Sequence, residues 1–461
     1  MMNRKSIVYL ILFLSIKLSL YSQAVEGTLL AQWTSPDVTG SATYDNSYNE
    51  VWGITNNGRE YAIIGSTLGT HFIDVTDPDD IYEAAFVKGK AFGSIIIHRD
   101  YHDYRGLLYA VCDEGNSSLQ IIDFTTLPDS VTVVYDSDVL IKRTHNIFID
   151  TFVYPAKLYS CSTIGNSGYH TLEVFSLENP TSPQSIYAFS GNLLGKNISH
   201  THDAYVRRDT AFLNCGPNGL AIVNFQDEPI LLNDIEPNAY PQSGYNHSGW
   251  LNDKGDYYYM ADETWGKDIK AIDVSDLSQI EFVDFFNAGD SSNYSIPHNQ
   301  IVSGNYLYVS YYFNGLQVYD LTNPDFPERV MYYPTSTIAP YANYKGAWGV
   351  FPFLPSGNIL VSDMQNGLFV VKGIANTSSS TDIREPRDFS IVPSIIHDRF
   401  KIEGLVDVLS VELYNVASEK VVSLKGNSNN EYNVDTNLGG GIYLARIICT
   451  EAVYTKKVYI Q

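Results

Sequence analysis

Leu316-Gln-Val-Tyr-Asp-Leu-Thr-Asn-Pro324 is one of seven copies of a single pattern: a short apolar run that ends in Asp and then turns. The pattern recurs as His71-Phe-Ile-Asp-Val-Thr-Asp-Pro78, Leu119-Gln-Ile-Ile-Asp-Phe124, Leu172-Glu-Val-Phe-Ser-Leu-Glu-Asn-Pro180 and Leu220-Ala-Ile-Val-Asn-Phe225. It continues as Lys270-Ala-Ile-Asp-Val-Ser-Asp276 and Leu368-Phe-Val-Val-Lys372. The Asp slot falls at 74, 123, 176, 224, 273, 320 and 372, with Ser176, Asn224 and Lys372 standing in for Asp. A repeat of that length with β-branched and aromatic strands fits one four-stranded propeller blade per copy, not a helical solenoid.

Working outward, each unit reads the same way. An inner strand (Asn146-Ile-Phe-Ile149) precedes a second (Lys157-Leu-Tyr-Ser-Cys161), and the Asp-ended strand comes third. A fourth (Ile186-Tyr-Ala-Phe189) lies outermost. The seventh unit stops after its third strand, at Lys372. Thr28-Leu-Leu-Ala-Gln-Trp33 supplies the missing outer strand from the other end, which closes the ring and removes two exposed sheet edges. The expectation is an all-β chain: a seven-bladed β-propeller over 27–373, followed by a small C-terminal β-sandwich.

Composition agrees. The chain has 461 residues with 35 Tyr, 21 Phe and 5 Trp, and Tyr is a strong strand former. Acids outnumber bases 52 to 29, for a net charge of −23. Such a surface repels phosphates, so nucleic acid is excluded as a partner. Four cysteines cannot scaffold a protein this large; Cys112, Cys161 and Cys215 read as small buried apolar residues at similar second-strand positions.

The two ends read as address labels. Residues 1–23 carry Arg4 and Lys5, an apolar run from Ile7 to Leu20 interrupted by Lys17, and small residues at the exit, which together read as a secretory signal peptide. No other segment is long and apolar enough to span a bilayer, so no transmembrane span is expected in the mature protein. The first cysteine, Cys112, is far from the cleavage point, leaving no thiol for a lipid anchor there. A polar linker occupies 374–386, including Asn376-Thr-Ser-Ser-Ser-Thr-Asp382. From 387 to 461 the strands are short and alternating, and the charge is nearly balanced.

That tail resembles the type A sorting domain of the bacterial type IX secretion system. The resemblance rests on its strand order, on Leu438-Gly-Gly-Gly-Ile-Tyr-Leu444 and on a terminal Lys456-Lys457-Val-Tyr-Ile460. The usual Pro-Asn-Pro opening turn is replaced by Val392-Pro-Ser-Ile395. The repeats resemble the LVIVD-repeat proteins, and the fuller pattern is similar to the choice-of-anchor B family of secreted bacterial proteins. Matching segments include Glu50-Val-Trp-Gly53, Arg59-Glu-Tyr-Ala-Ile-Ile-Gly65, Thr144-His-Asn-Ile-Phe-Ile-Asp150, Thr201-His-Asp-Ala204, His247-Ser-Gly-Trp250, Ala261-Asp-Glu263 and Gly346-Ala-Trp348. These resemblances imply an extracellular or outer cell-surface protein handled by the type IX secretion machinery. They supply no known reaction.

The chemistry sits in a second column. Aligning the repeats on their inner strands gives Glu50, His98, His145, His202, His247, His298 and Gly346, so five of the ten histidines share one repeat position. That position starts the inner strand, at one mouth of the central channel. The loops after the second strands open on the same face and carry Asp113, Glu114, Asp262 and Glu263. Convergent imidazoles and carboxylates suit Zn, Mn, Fe or Cu better than Ca, which favours all-oxygen shells. Candidate ligands of a divalent metal are His145, His202, His247 and His298 first, then His98 and Glu263; Glu50, Asp113, Glu114, Asp203 and Asp262 are further candidates at the mouth. The bland alternative is a hydrogen-bonded histidine plug. A metal with an open position could make the protein a hydrolase or oxidoreductase with Glu263 or Asp203 as base. Otherwise it is a module for an unidentified extracellular ligand. No Gly-x-Ser-x-Gly, His-Glu-x-x-His or phosphate-loop motif is present. Trp52, Trp250, Trp265 and Trp348 also lie near this mouth, where an indole can stack a sugar or peptide or simply pack in the core.

Overall fold

The computed structural model describes residues 24–290, 292–374, 390–393, 395–397, 399–405, 408–415, 420–427, 429–434, 441–449 and 453–460. The expected signal peptide at 1–23 lies outside the described residues, as does the expected linker beyond residue 374. The chain divides into two compact units, Met1–Ile374 and Ala375–Gln461.

Among the described residues the first unit holds seven sheets with four antiparallel strands each, one of them extended by a fifth, parallel strand, and a two-stranded ribbon of Asn192–Leu193 and Lys196–Asn197. The first consists of Tyr48–Asn56, Arg59–Ser66, Gly69–Asp74 and Tyr82–Lys88. The inner strands of the other six are Arg99–Tyr104, Asn146–Asp150, Asp203–Arg207, Asn246–Leu251, Gln300–Ser303 and Ala347–Phe351. Each inner strand packs against the next, and Ala347–Phe351 packs against Tyr48–Asn56, so the sheets close on themselves. This is a β-propeller.

Closure uses the N-terminal segment twice. Leu29–Trp33 pairs antiparallel with Gly367–Val371, setting Leu29 opposite Val371 and Trp33 opposite Leu368. Just before it, Val25–Glu26 runs parallel along Glu328–Tyr333 of the preceding sheet. The nine residues 25–33 therefore strap two neighbouring sheets.

The repeated Asp has a local cause. Asp74, Asp123, Asp273 and Asp320 each accept a hydrogen bond through Oδ1 from the backbone N–H two residues on, at 3.1, 2.8, 2.9 and 2.7 Å. This side-chain turn ends the third strand without an orphaned amide. Asn224 and Ser176 make the same contact with Gln226 and Glu178. All seven sheets also carry one bulge between the third and outermost strand, for example at Phe72/Ile73 and Val318/Tyr319. A bulge increases local twist, which suits strands at the periphery of a twisted blade.

The core lies between sheets. Tyr109 and Ile121 of one pack with Ile147, Leu158 and Phe175 of the next, and the pattern repeats around the ring. Both faces of a third strand are covered, which is why Leu119–Asp123 reads as nearly continuous apolar sequence. Each large apolar side chain so buried contributes roughly 1.5–3 kcal/mol.

In the second unit, Ser390–Val392, Arg399–Glu403 and Glu431–Asn433 form a three-stranded sheet. A five-stranded sheet orders Ile395–Ile396, Val453–Ile460, Gly441–Cys449, Val408–Tyr414 and Lys420–Lys425. One apolar cluster draws Phe400, Ile402 and Tyr432 from the first sheet and Val411, Leu413, Ala445 and Ile447 from the second. Among the described residues no helix is long and apolar enough to cross a membrane.

Candidate metal centre at the axial mouth

Five imidazoles and one indole form a closed ring where the inner strands begin. Neighbouring ring centroids lie 4.4 Å apart for His98–His145, 4.0 Å for His145–His202, 4.1 Å for His202–His247 and 4.5 Å for His247–His298. Trp348 completes the circuit, 4.3 Å from His298 and 5.8 Å from His98. The column therefore gathers its five histidines, and two of its seven members differ from expectation. Trp348, two residues after Gly346, occupies the seventh slot. Glu50 sits one layer further along the strands, away from the imidazoles.

The reason is a bulge. Tyr48 pairs with Ser66 but Val51 pairs with Ile64, so Asn49 and Glu50 share the place of one residue. Ala347 pairs with Asp363 and Val350 with Val361, giving Trp348 and Gly349 the same relation. Glu50 thus matches Gly349, not a histidine. A side chain at Gly349 would collide with the Glu50 carboxylate, which fills that space.

Within the ring, His202, His247 and Glu263 each offer a ligand atom, all within 4.8 Å of one another. His202 and His247 are supplied by inner-strand starts; Glu263 follows the second strand Tyr257–Asp262 and is pinned by its N–H to the Tyr245 carbonyl at 2.8 Å. Glu263 Oε2 lies 3.8 Å from His247 Nε2, while its Oε1 accepts a hydrogen bond from the Tyr312 hydroxyl at 2.5 Å. His202 Nδ1 is 3.1 Å from the His247 carbonyl, and His298 Nδ1 is 2.6 Å from the Trp348 carbonyl. A carbonyl only accepts, so both Nδ1 atoms carry the proton and both Nε2 atoms keep a free lone pair. That is the arrangement metal-bound histidines use, with the second nitrogen anchored to a backbone carbonyl.

The electrostatics keep these imidazoles neutral. Burial pushes His98, His202 and His247 well below the ordinary histidine range, and neighbouring imidazoles push the same way. Burial takes His298 down to about 3. Glu263 is pushed up to about 7 by burial, opposed by the Tyr312 hydrogen bond and by His145. A metal ion need not displace protons from neutral imidazoles. Three buried ring nitrogens here, His98 Nδ1, His247 Nδ1 and Trp348 Nε1, have no hydrogen-bond partner.

His145 differs. Its Nδ1 lies 2.8 Å from Asp113 Oδ2. Burial would lower the imidazole, but the hydrogen bond and charge of Asp113 outweigh it and the net shift is upward. Asp113 goes down to about 2, burial being overcome by His145. Its side chain is 39% exposed, so solvent tempers this pair. Glu114 Oε2 accepts the N–H groups of Ile97 and His98, both at 3.2 Å, and so positions the His98 strand start.

Asp262 is not part of the mouth. It is fully buried within its sheet, with Oδ2 2.9 Å from Lys270 Nζ, and it accepts from the Tyr240 hydroxyl and the Gly244 N–H. Alternation explains this: Asp262 ends the strand and faces the blade, whereas Glu263 begins the loop.

Below the ring, Glu50, Asp100 and Asp203 line an axial cavity of about 60 Å³ together with Asn146, Asn299 and Gln300. Asn299 Nδ2 donates to Glu50 and Asn146 Nδ2 to Asp203, each at 2.6 Å. Burial pushes Glu50 up to about 8 and Asp203 up to about 6, and raises Asp100 well above its usual range. Trp52, His102, Phe148 and Trp250 form the cavity's far wall, so two of the mouth tryptophans belong to packing. Sequence reasoning missed Tyr312, Asp100, Asn146 and Asn299. The last two were readable as the polar residue following His in His145-Asn146 and His298-Asn299.

Comparison with known proteins places LVIVD repeats at residues 251–287 and 299–335. The chain is thus a β-propeller protein carrying LVIVD repeats. No curated protein matches the sequence. Among solved structures, the periplasmic gluconolactonase PpgL of Pseudomonas aeruginosa is similar at 11% identity, covering 84% of this chain and 99% of that one, with a TM-score of 0.49. The extracellular domain of BT4673 from B. thetaiotaomicron is similar at 14% identity over 96% of this chain and 60% of that one, TM-score 0.49. PorZ, a surface component of the type IX secretion system of Porphyromonas gingivalis, is similar at 12% identity and TM-score 0.43; the match covers 93% of this chain and 61% of PorZ.

Proposed function

We propose that this chain is an exported, surface-delivered seven-bladed β-propeller that binds an extracellular ligand through a divalent metal held at its axial mouth. The observation that carries the metal is the convergence of His202, His247 and Glu263 within 4.8 Å, with His202 Nε2 left free by its Nδ1 hydrogen bond. Mixed nitrogen and oxygen donors favour Zn or another first-row ion over Ca. His298 and His98 flank the position as neutral imidazoles, and His145 flanks it paired with Asp113. Seven sheets closing in a ring support the blade count.

Delivery rests on the ends of the chain. The basic and apolar start supports export, and two sheets sharing one apolar cluster in 390–460 support a C-terminal sandwich of the sorting type. The type IX machinery is the partner this reading requires, and choice-of-anchor B is the family it fits. Fractionating cells that express the chain with and without residues 387–461 tests delivery; equal surface yield would remove the sorting role.

A second reading is a metal-dependent hydrolase or oxidoreductase at the same site. It is favoured by the ligand count, because two His and one carboxylate leave coordination positions open to water or substrate. Calorimetric titration of chelator-stripped protein with Zn²⁺ tests the shared premise. One ion should bind per chain, with binding abolished in a His202→Ala/His247→Ala variant; equal heats in both proteins would overturn it.

A further inference from the structure

We infer that the mouth takes a neutral carbohydrate, stacked on the Trp265 indole and reaching by its hydroxyls to the metal position at His202, His247 and Glu263. This rests on the metal reading above and goes beyond it by naming the ligand class and a second contact.

Trp265 is 41% exposed, unlike the packed Trp52, Trp250 and Trp348. Its ring is not loose. Tyr344 stacks on it at 6.0 Å and 26°, and Tyr294 meets it edge-on at 6.0 Å and 82°. Held between Tyr344 and Tyr294, the indole still leaves about two fifths of its surface, 41%, open to solvent. The loop beneath is tied down: the Gly266 N–H donates to the Asn293 carbonyl at 3.0 Å and the Lys267 N–H to Thr264 at 3.1 Å. Gly266 itself sits at φ +72°, a conformation that favours glycine. A platform fixed in advance loses little entropy when it binds.

From Trp265 an aromatic path runs inward without a gap. Tyr344 lies 5.4 Å from Tyr312, and the Tyr312 hydroxyl bonds Glu263. Trp265 follows Glu263 by two residues on the same loop, and the Glu263 side chain is 18% exposed, so the indole stands beside the one partly open ligand of the candidate metal position.

The chemistry selects the occupant. A net charge of −23 disfavours polyanions. A bound divalent cation disfavours a cationic ligand beside it and accepts oxygen donors such as vicinal hydroxyls. A purely apolar ligand would cover the Glu263 and Asp113 carboxylates without offering either a further donor. A pyranose has an apolar C–H face for the indole and a rim of hydroxyls for the carboxylates and the ion, and so satisfies both ends.

The test titrates the full chain with cellotetraose, chitotetraose and mannotetraose by calorimetry, with metal content measured in parallel. At least one oligosaccharide should bind, about tenfold or more weaker in Trp265→Ala and partly restored in Trp265→Phe. Both variants should keep their metal. Metal binding without any oligosaccharide binding overturns this inference and leaves the metal reading standing. Oligosaccharide binding indifferent to Trp265 also overturns it, as does Trp265-dependent binding of choline in place of the sugars. Trp265-dependent sugar binding to a chain that holds no metal overturns the inference as stated, and the metal reading with it.

Discussion

The Nδ1–H of His202 donates to the backbone carbonyl of His247, 3.1 Å away on the next inner strand. One hydrogen bond thus fixes the tautomer, turns the ring, and ties two adjacent sheets at the point where the ligand atoms converge. Propeller closure and site assembly are the same event here: the residues that could hold a metal become neighbours only when consecutive inner strands pack.

Tyr312 should tune the site without carrying it. Its hydroxyl hydrogen-bonds Glu263 Oε1, which favours the charged form against burial and fixes one orientation. Tyr312→Phe should weaken Zn²⁺ binding by about 10- to 100-fold, as loss of such outer partners does. Calorimetry reads the affinity, and an unchanged melting midpoint separates this from a folding defect.

The acidic layer predicts a pH dependence. Asp203 is raised to about 6 by burial, so the folded state holds its proton longer than the unfolded chain does. Stability therefore falls as pH rises from the ordinary aspartate range through about 6. Asp203→Asn keeps an Oδ1 acceptor for Asn146 and Ala204 and removes the charge. The variant should be more stable than the parent at pH 8, by on the order of 1–3 kcal/mol, and no more stable near pH 4. Denaturant melts at both pH values check it.

Lys270 and Asp262 are both fully buried, 2.9 Å apart. Lys270→Met leaves the carboxylate without its cation and should cost about 3–5 kcal/mol. Adding Asp262→Asn should recover most of the loss, because the pair is removed together. The double-mutant comparison in urea tests this.

The N-terminal strap should matter more than its length suggests. Removing residues 24–33 strips Gly367–Val371 of its outer partner and exposes a sheet edge. The shortened protein should melt earlier and associate with increasing concentration, which light scattering would detect.

Much of this was legible in the chain. The repeat was readable because each copy ends its third strand with the same side-chain turn, so Asp74, Asp123, Asp273 and Asp320 mark a physical event as well as a spacing. The histidine column was readable because one slot faces the axis in five copies. What spacing could not give was the register inside a bulge: counting eight residues to Gly58 puts Glu50 level with His98, yet the extra residue in Tyr48–Asn56 moves it one layer along. The same effect hid Trp348 behind Gly346. Asp262 and Glu263 are adjacent in sequence and opposite in fate, because one faces the blade and the other the mouth. Tyr312 lies in a loop of the next repeat, a partnership no local pattern encodes.

The most direct test is an X-ray anomalous-difference map from crystals of the chelator-stripped protein soaked in Zn²⁺. The account predicts one strong peak between His202 Nε2, His247 and Glu263, at about 2.0–2.2 Å from each ligand atom. A map with no peak there, or with zinc only at surface carboxylates, would contradict it and leave the ring as a hydrogen-bonded histidine plug.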